Sequence, residues 1–112
     1  MPGTCLVLTN LPDADLARLL ARELVETRLA ACVNVLAPCQ SYYRWDDALQ
    51  EDGEVPLLIK TTAQLYPAVE AYLKQRHPYD VPEIIALKVE AGLPDYLRWV
   101  VDSTRPAAPN PA

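Results

Sequence analysis

The most unusual local sequence of the chain is His77-Pro78-Tyr79-Asp80-Val81-Pro82-Glu83, which gathers the single histidine, a phenol and two carboxylates around two prolines. Proline fixes its own φ and restricts the residue before it. These groups are therefore presented from a stiff backbone, as a binding site requires. The same residues also suit a helix C-cap, with His77 complementing the dipole at a helix end before a rigid turn. One histidine rarely makes a metal site alone.

Other reactive groups are scattered. Cys5, Cys32 and Cys39 are odd in number and lack CxxC spacing, so neither a disulfide framework nor a zinc ribbon is indicated, and reduced thiols are expected. Cys32, between Ala31 and Val33, reads as a small buried hydrophobe, Cys5 as core, and Cys39, after Pro38, as more exposed. A soft copper site would follow if two thiols met His77. Asp46, Asp47, Glu51, Asp52 and Glu54 crowd a hairpin tip where hard cations could gather, yet they lack EF-hand spacing, and a solvated tip also accounts for them. Lys60 ends an apolar strand and needs a carboxylate or water; Glu83 is its expected partner, as an ion pair or as half of an anion site.

The elements that must position these groups follow from local patterns. Cys5–Thr9 reads as a strand, stopped by Asn10-Leu11-Pro12-Asp13, a turn cluster that also starts a helix. From Asp13, Leu16, Leu19, Leu20 and Leu24 recur at helical spacing. Ala30–Leu36 and Ser41–Trp45 read as two aligned strands or one bent strand around Pro38, followed by the hairpin and a third strand at Val55–Thr61, buried on both faces at Leu57-Leu58-Ile59. Pro56 cannot donate to a ladder and belongs at a bulge or where the hairpin runs past the main sheet. A second helix, capped by Thr61 or Thr62, runs toward His77 and starts near Tyr66 if Pro67 is to be accommodated. Glu83–Val89 supplies a fourth strand and Pro94 opens a last helix. The domain spans 1–103, and the proline-rich 104–112 is expected to be a mobile tail.

This order, βαββαβ plus a terminal helix, is the α+β split-βαβ or ferredoxin-like plan, with both long helices on one face of an antiparallel sheet. The other face and the aromatic hairpin around Tyr42, Tyr43 and Trp45 are too apolar to stay in water, which predicts an oligomer.

Length and composition set the outer bounds. A chain of 112 residues with 51% hydrophobic and 22% charged residues is one folded domain. Its net charge of −5 argues against nucleic acid, which needs clustered Lys or Arg. No apolar run reaches the length of a membrane span, and residues 1–4 show no leader pattern, so a cytoplasmic protein without a membrane partner is expected.

Several separated blocks then resemble one family. Leu29-Ala30-Ala31-Cys32-Val33-Asn34, Ser41-Tyr42-Tyr43-Arg44-Trp45, Glu54-Val55 with Leu58-Ile59-Lys60-Thr61, His77 to Ile85, and Gly92-Leu93-Pro94-Asp95-Tyr96-Leu97-Arg98-Trp99 are similar, in order, to the signature blocks of the CutA divalent-cation-tolerance proteins, over residues 4 to 103. The resemblance implies a ferredoxin-like subunit in a tight homotrimer, related in architecture to the PII signalling proteins. It also implies a role in tolerance to copper and other divalent cations, with no obligatory cofactor and no established reaction.

By the same resemblance, the ligand-binding positions at a cleft between subunits fall on Cys32, Tyr42, Trp45, Lys60, Tyr79 and Glu83, with His77 as the metal candidate. The chain departs from the family at Thr9, where some members have cysteine, at Arg76, where a second histidine can stand beside His77, and at Pro56. The first two departures point to weak soft-metal binding. A copper chaperone on this plan would need a CxxC after the first strand, and Asn10–Asp15 has no cysteine. An acylphosphatase-like enzyme would need an arginine-bearing phosphate loop there, and the loop is acidic. A thiol- or anion-dependent enzyme using the same cleft is the alternative to a binding or signalling module; it requires Cys32 within reach of His77.

Overall fold

Alternation along residues 4–11 builds the first strand: Cys5, Val7, Thr9 and Leu11 are buried, while Leu6, Leu8 and Asn10 point the other way and are half-buried. The computed structural model describes residues 3–106. Its elements are β1 (Thr4–Leu11), α1 (Ala14–Glu26), β2 (Cys32–Val35), β3 (Cys39–Trp45), β4 (Ala48–Thr62), α2 (Tyr66–Arg76), β5 (Ile85–Lys88) and α3 (Pro94–Ser103). All strand pairs are antiparallel, in the order β2-β4-β1-β5, with β3 pairing the outer half of β4. This is the expected split-βαβ plan.

One core unites the helix-facing strand residues with α1 and α2: Val7, Leu11, Leu57 and Ile59 pack with Leu20, Leu24, Val69 and Leu73. Asp13 starts α1 by accepting the Leu16 N–H at 2.8 Å. Arg28, in the left-handed region at φ 62°, turns the chain out of it. Tyr72 donates to Glu23, and the Arg76 guanidinium lies 4.0 Å above the Tyr72 ring, so α1 and α2 are clamped side by side. Leu58, expected to be buried like its neighbours, is only half-buried, because β4 alternates and its second face lacks the two long helices.

Long β4 organises the rest. Its 15 residues, at about 3.3 Å each, span most of the molecule's 57 Å length. The inner half pairs with β1 and β2, and the outer half pairs with β3 alone, as a hairpin extending past the main sheet. Pro56 stands at the break between β2 and β3. Its carbonyl accepts the Leu36 N–H at 2.9 Å. The N and C=O of a strand residue face the same neighbour, so the missing proline N–H points where the ladder is already interrupted.

Three expectations need correction. Only Asp46 and Asp47 occupy the hairpin tip, both with positive φ (51° and 58°), as a tight two-residue hairpin turn requires; Glu51, Asp52 and Glu54 are strand residues. The helix cap near Thr62 forms one step early: its hydroxyl accepts the Leu65 N–H at 3.3 Å, and α2 begins at Tyr66 with Pro67 in the first turn, where an N–H is not needed. Thr104, expected to begin the mobile tail, is buried and donates to the Val100 and Val101 carbonyls, closing α3. Residues 107–112 of that expected tail lie outside the described residues.

Candidate functional site

The register of the hairpin decides which side chains can meet. Trp45 pairs with Ala48, Tyr43 with Gln50, Ser41 with Asp52 and Cys39 with Glu54. Tyr43, Trp45, Asp52 and Glu54 therefore share one face, whereas Tyr42 pairs with Glu51 on the opposite face and donates to it at 3.0 Å. The two prolines of the 77–83 segment carry Tyr79, Asp80 and Glu83 against the Tyr43 face, and Asn10 and Pro12 close the base. A cleft of about 880 Å³ results.

Its electrostatics are one-sided. Asp52, Glu54, Asp80 and Glu83 line it, with no lysine or arginine among the described residues. The Tyr79 hydroxyl donates to Glu54 Oε2 at 3.1 Å, the Tyr43 hydroxyl to Asp52, and Asn10 Nδ2 to Glu83 Oε1 at 3.2 Å. Glu54 is only 9% exposed. Among the described residues, the Tyr79 phenol is the sole side chain hydrogen-bonded to its carboxylate, and no cationic side chain lies within ion-pair distance. Burial, reinforced by the hydrogen bond to Glu54 and by its charge, pushes Tyr79 up to about 12. The hydrogen bond to Asp52 is the main cause that raises Tyr43. Both phenols stay protonated near neutral pH and keep donating to their carboxylates.

His77 stands behind this cleft rather than in it. It ends α2, its N–H donating to the Leu73 carbonyl at 2.8 Å. Its buried ring donates from Nε2 to the Asn10 carbonyl at 2.7 Å and accepts the Tyr79 N–H at Nδ1 at 3.3 Å. Both nitrogens are thus engaged by backbone, which defines a neutral ring with its proton on Nε2. Burial lowers its pKa, against the opposing Asn10 hydrogen bond and Glu54 charge. The ring packs on Tyr79 with centroids 4.7 Å apart, so His77 positions the loop that carries the cleft residues.

The residues singled out by sequence fall into two groups. Trp45, Tyr79 and Glu83 line the cleft; Tyr42 borders it but turns its hydroxyl away to Glu51. Cys32 and Lys60 pair with each other across β2 and β4, and Lys60 is also paired with Leu6, four residues along β1 from Asn10, or about 13 Å. Cys32 is half-buried rather than core. The expected Lys60–Glu83 pair does not form: Glu83 takes Asn10, and Lys60 meets no carboxylate among the described residues. Cys5 is core as expected, its thiol raised by burial, and Cys39 is exposed. Among the described residues, no three of His, Cys, Asp and Glu come close enough together to hold a metal ion.

Sequence reasoning missed Asn10 and Tyr43 as site residues; it singled out Asp52 and Glu54 as acids of the hairpin tip and Asp80 as part of the rigid 77–83 segment, without bringing them together in one cleft. Strand parity was the available signal for the hairpin members: with the turn fixed at Asp46-Asp47, Trp45, Tyr43, Asp52 and Glu54 must share a face.

A profile of the CutA1 divalent ion tolerance protein family matches residues 5–103. The chain belongs to that family. It is 45% identical over 98 residues to the divalent-cation tolerance protein CutA of Thermus thermophilus, covering 88% of this chain and 95% of that one. Protein CutA of Mus musculus is 47% identical over 89 residues, covering 80% of this chain, which spans about half the length of that relative (50%). The solved CutA1 of Oryza sativa superposes with a TM-score of 0.90 at 37% identity, over 95% of this chain and 97% of that one. The family membership and the α+β architecture thus agree with the resemblance read from the signature blocks. No helix among the described residues is long and apolar enough to cross a membrane.

Proposed function

We propose that the chain is a cation-binding and signalling module rather than an enzyme, assembled as a cytoplasmic homotrimer whose hairpin clefts sense or buffer a divalent cation such as copper. The observation that carries this reading is Glu54: a residue 9% exposed at the wall of a cleft of four carboxylates, with one oxygen held by Tyr79, the other open to the cleft, and no positive partner among the described residues of the subunit. A carboxylate fixed in place with a free oxygen and like charges beside it favours an incoming cation. Oxygen donors and an already engaged imidazole favour modest affinity, above micromolar, over tight soft-metal capture.

The anion-dependent alternative is disfavoured by the absence of basic side chains from the cleft lining, and the thiol alternative by the separation of Cys32 from His77 within a subunit. Trimer formation is supported by exposed apolar groups on the hairpin, Tyr42, Trp45 and Leu49, and on the edge strand β5, Ile85 and Leu87. A cytoplasmic setting agrees with three unpaired cysteines.

Calorimetric titration of copper(II), zinc and phosphate tests the reading on the parent, His77→Ala and Glu54→Gln proteins, with sedimentation for the assembly. Weak metal binding that falls in both variants, silence with phosphate, and a trimeric mass are expected. Equal heats from all three proteins would remove the cleft from the function, and a monomer at working concentration would remove the assembly.

A further inference from the structure

We propose that the cleft at the base of the hairpin takes an organic polycation, an alkyl-ammonium of the polyamine class, held by its carboxylates and aromatic walls together. The inference rests on reading the cleft as a cation site and names the kind of cation. Its starting point is again Glu54, 9% exposed, with one oxygen receiving the Tyr79 phenol, the other open to the cleft, and no counter-charge among the described residues of the subunit. Tight capture of a bare metal ion would need several converging ligands; among the described residues no group of three exists and His77 is already committed through both nitrogens, so the cleft holds a divalent ion only weakly.

An ammonium has smaller demands. One carboxylate and an aromatic face suffice, because the ring quadrupole attracts the cation and its methylene stem is apolar. The cleft supplies both kinds of surface: Tyr43, Trp45 and Tyr79 provide rings, and Asp52, Glu54 and Glu83 provide charge on the hairpin and loop sides. The phenol protons of Tyr43 and Tyr79 are spent on Asp52 and Glu54, which fixes the rings and leaves the remaining carboxylate lone pairs as acceptors. A volume of about 880 Å³ lies in the range of small-molecule sites and far exceeds the space of one ion. A flexible chain with ammonium groups at its ends can meet separated acids at once.

The test is calorimetric titration of spermidine, and separately of zinc, into the intact parent protein and into Glu54→Gln, Trp45→Leu and Asp15→Asn. Asp15 is a fully exposed acid on α1, outside the cleft, and controls for general attraction to an acidic surface. Trp45 is half-exposed on the hairpin of the single subunit and belongs to the apolar surface the proposed trimer covers, so sedimentation verifies that Trp45→Leu keeps the parent's mass and circular dichroism that Glu54→Gln keeps its fold. Asp52→Asn, at an exposed strand residue of the same cleft, is the reference should either fail. Spermidine binding is expected to weaken about tenfold or more in Glu54→Gln and severalfold in Trp45→Leu, with no change in Asp15→Asn. Unchanged spermidine affinity in the two cleft variants would overturn the proposal. Zinc binding lost in Glu54→Gln, with no spermidine binding by the parent, would overturn it while leaving the divalent-cation reading in place. Silence with both cations would overturn both.

Discussion

Thr9 offers a stability experiment whose sign follows from the structure. It lies on β1, opposite Leu57, on the helix-facing side between Val7 and Leu11, and is 1% exposed. Its Oγ1 is buried and, among the described residues, has no hydrogen-bond partner. A buried hydroxyl left unpaired costs about 1–3 kcal/mol relative to a paired or hydrated one. Thr9→Val exchanges that hydroxyl for a methyl of nearly the same shape, so no cavity opens and the penalty is removed. Part of the gain is offset by imperfect repacking, and a net stabilisation of about 1 kcal/mol is expected. Urea unfolding, at one fixed protein concentration because subunit association adds to stability, should move its midpoint up by about 0.3–1 M for a slope of about 1–3 kcal/mol/M. Thr9→Ser keeps the hydroxyl and deletes the methyl, and should lose about 1 kcal/mol. A neutral or destabilised Thr9→Val would refute the reasoning, since it would mean that the hydroxyl has found an acceptor.

Three further outcomes follow from local geometry. His77 is neutral and buried in the fold with its pKa lowered, whereas the unfolded chain takes up a proton near pH 6.5; the unfolded state thus binds more protons just below that value. The stability tied to His77 is complete above about pH 6.5 and is lost as the pH falls from there toward the folded value, and His77→Gln should flatten that part of a stability-versus-pH curve measured by urea titration. Asp13→Ala removes the acceptor of the Leu16 N–H and should cost about 1 kcal/mol by thermal melting. Arg28→Gly, at the left-handed position after α1, should stabilise by about 0.5–1 kcal/mol in the same assay; a loss would show that the arginine side chain contributes more than its backbone strain.

Much of the architecture was legible because local signals agreed with the tertiary result. The strand around Cys5–Thr9, the helix after Asp13, the break at Pro38 and the start of α2 near Tyr66 are each set by alternation, helical spacing or proline chemistry and stand where those rules place them, except that β1 runs on through Asn10 and Leu11, read from sequence as a turn, because Leu11 continues the buried alternation. The cleft was less legible. Residue type drew attention to Tyr42 and Trp45 together, but they are three positions apart on one strand and face opposite sides. Lys60 and Glu83 were paired by complementary charge, yet β1 lies between β4 and β5, and the strand register, a long-range property, holds Lys60 at the other end of the sheet. Glu54 looked like one acid of a solvated tip; its burial depends on Tyr79, 25 residues away, arriving on the rigid loop. The histidine was identified as important, but what its ring touches, the Asn10 carbonyl and the Tyr79 amide, could only come from the packed structure.

On the function proposed above, a cation enters the acidic cleft beside Glu54 rather than the Cys32–Lys60 end of the sheet. Paramagnetic broadening of amide NMR signals by substoichiometric copper(II) locates the ion directly. Early loss of signals from residues 41–45, 52–54 and 79–83, with Cys32 and Lys60 unaffected, is the predicted result; broadening centred on Cys32 or Cys39, or spread evenly over exposed acids, would contradict it.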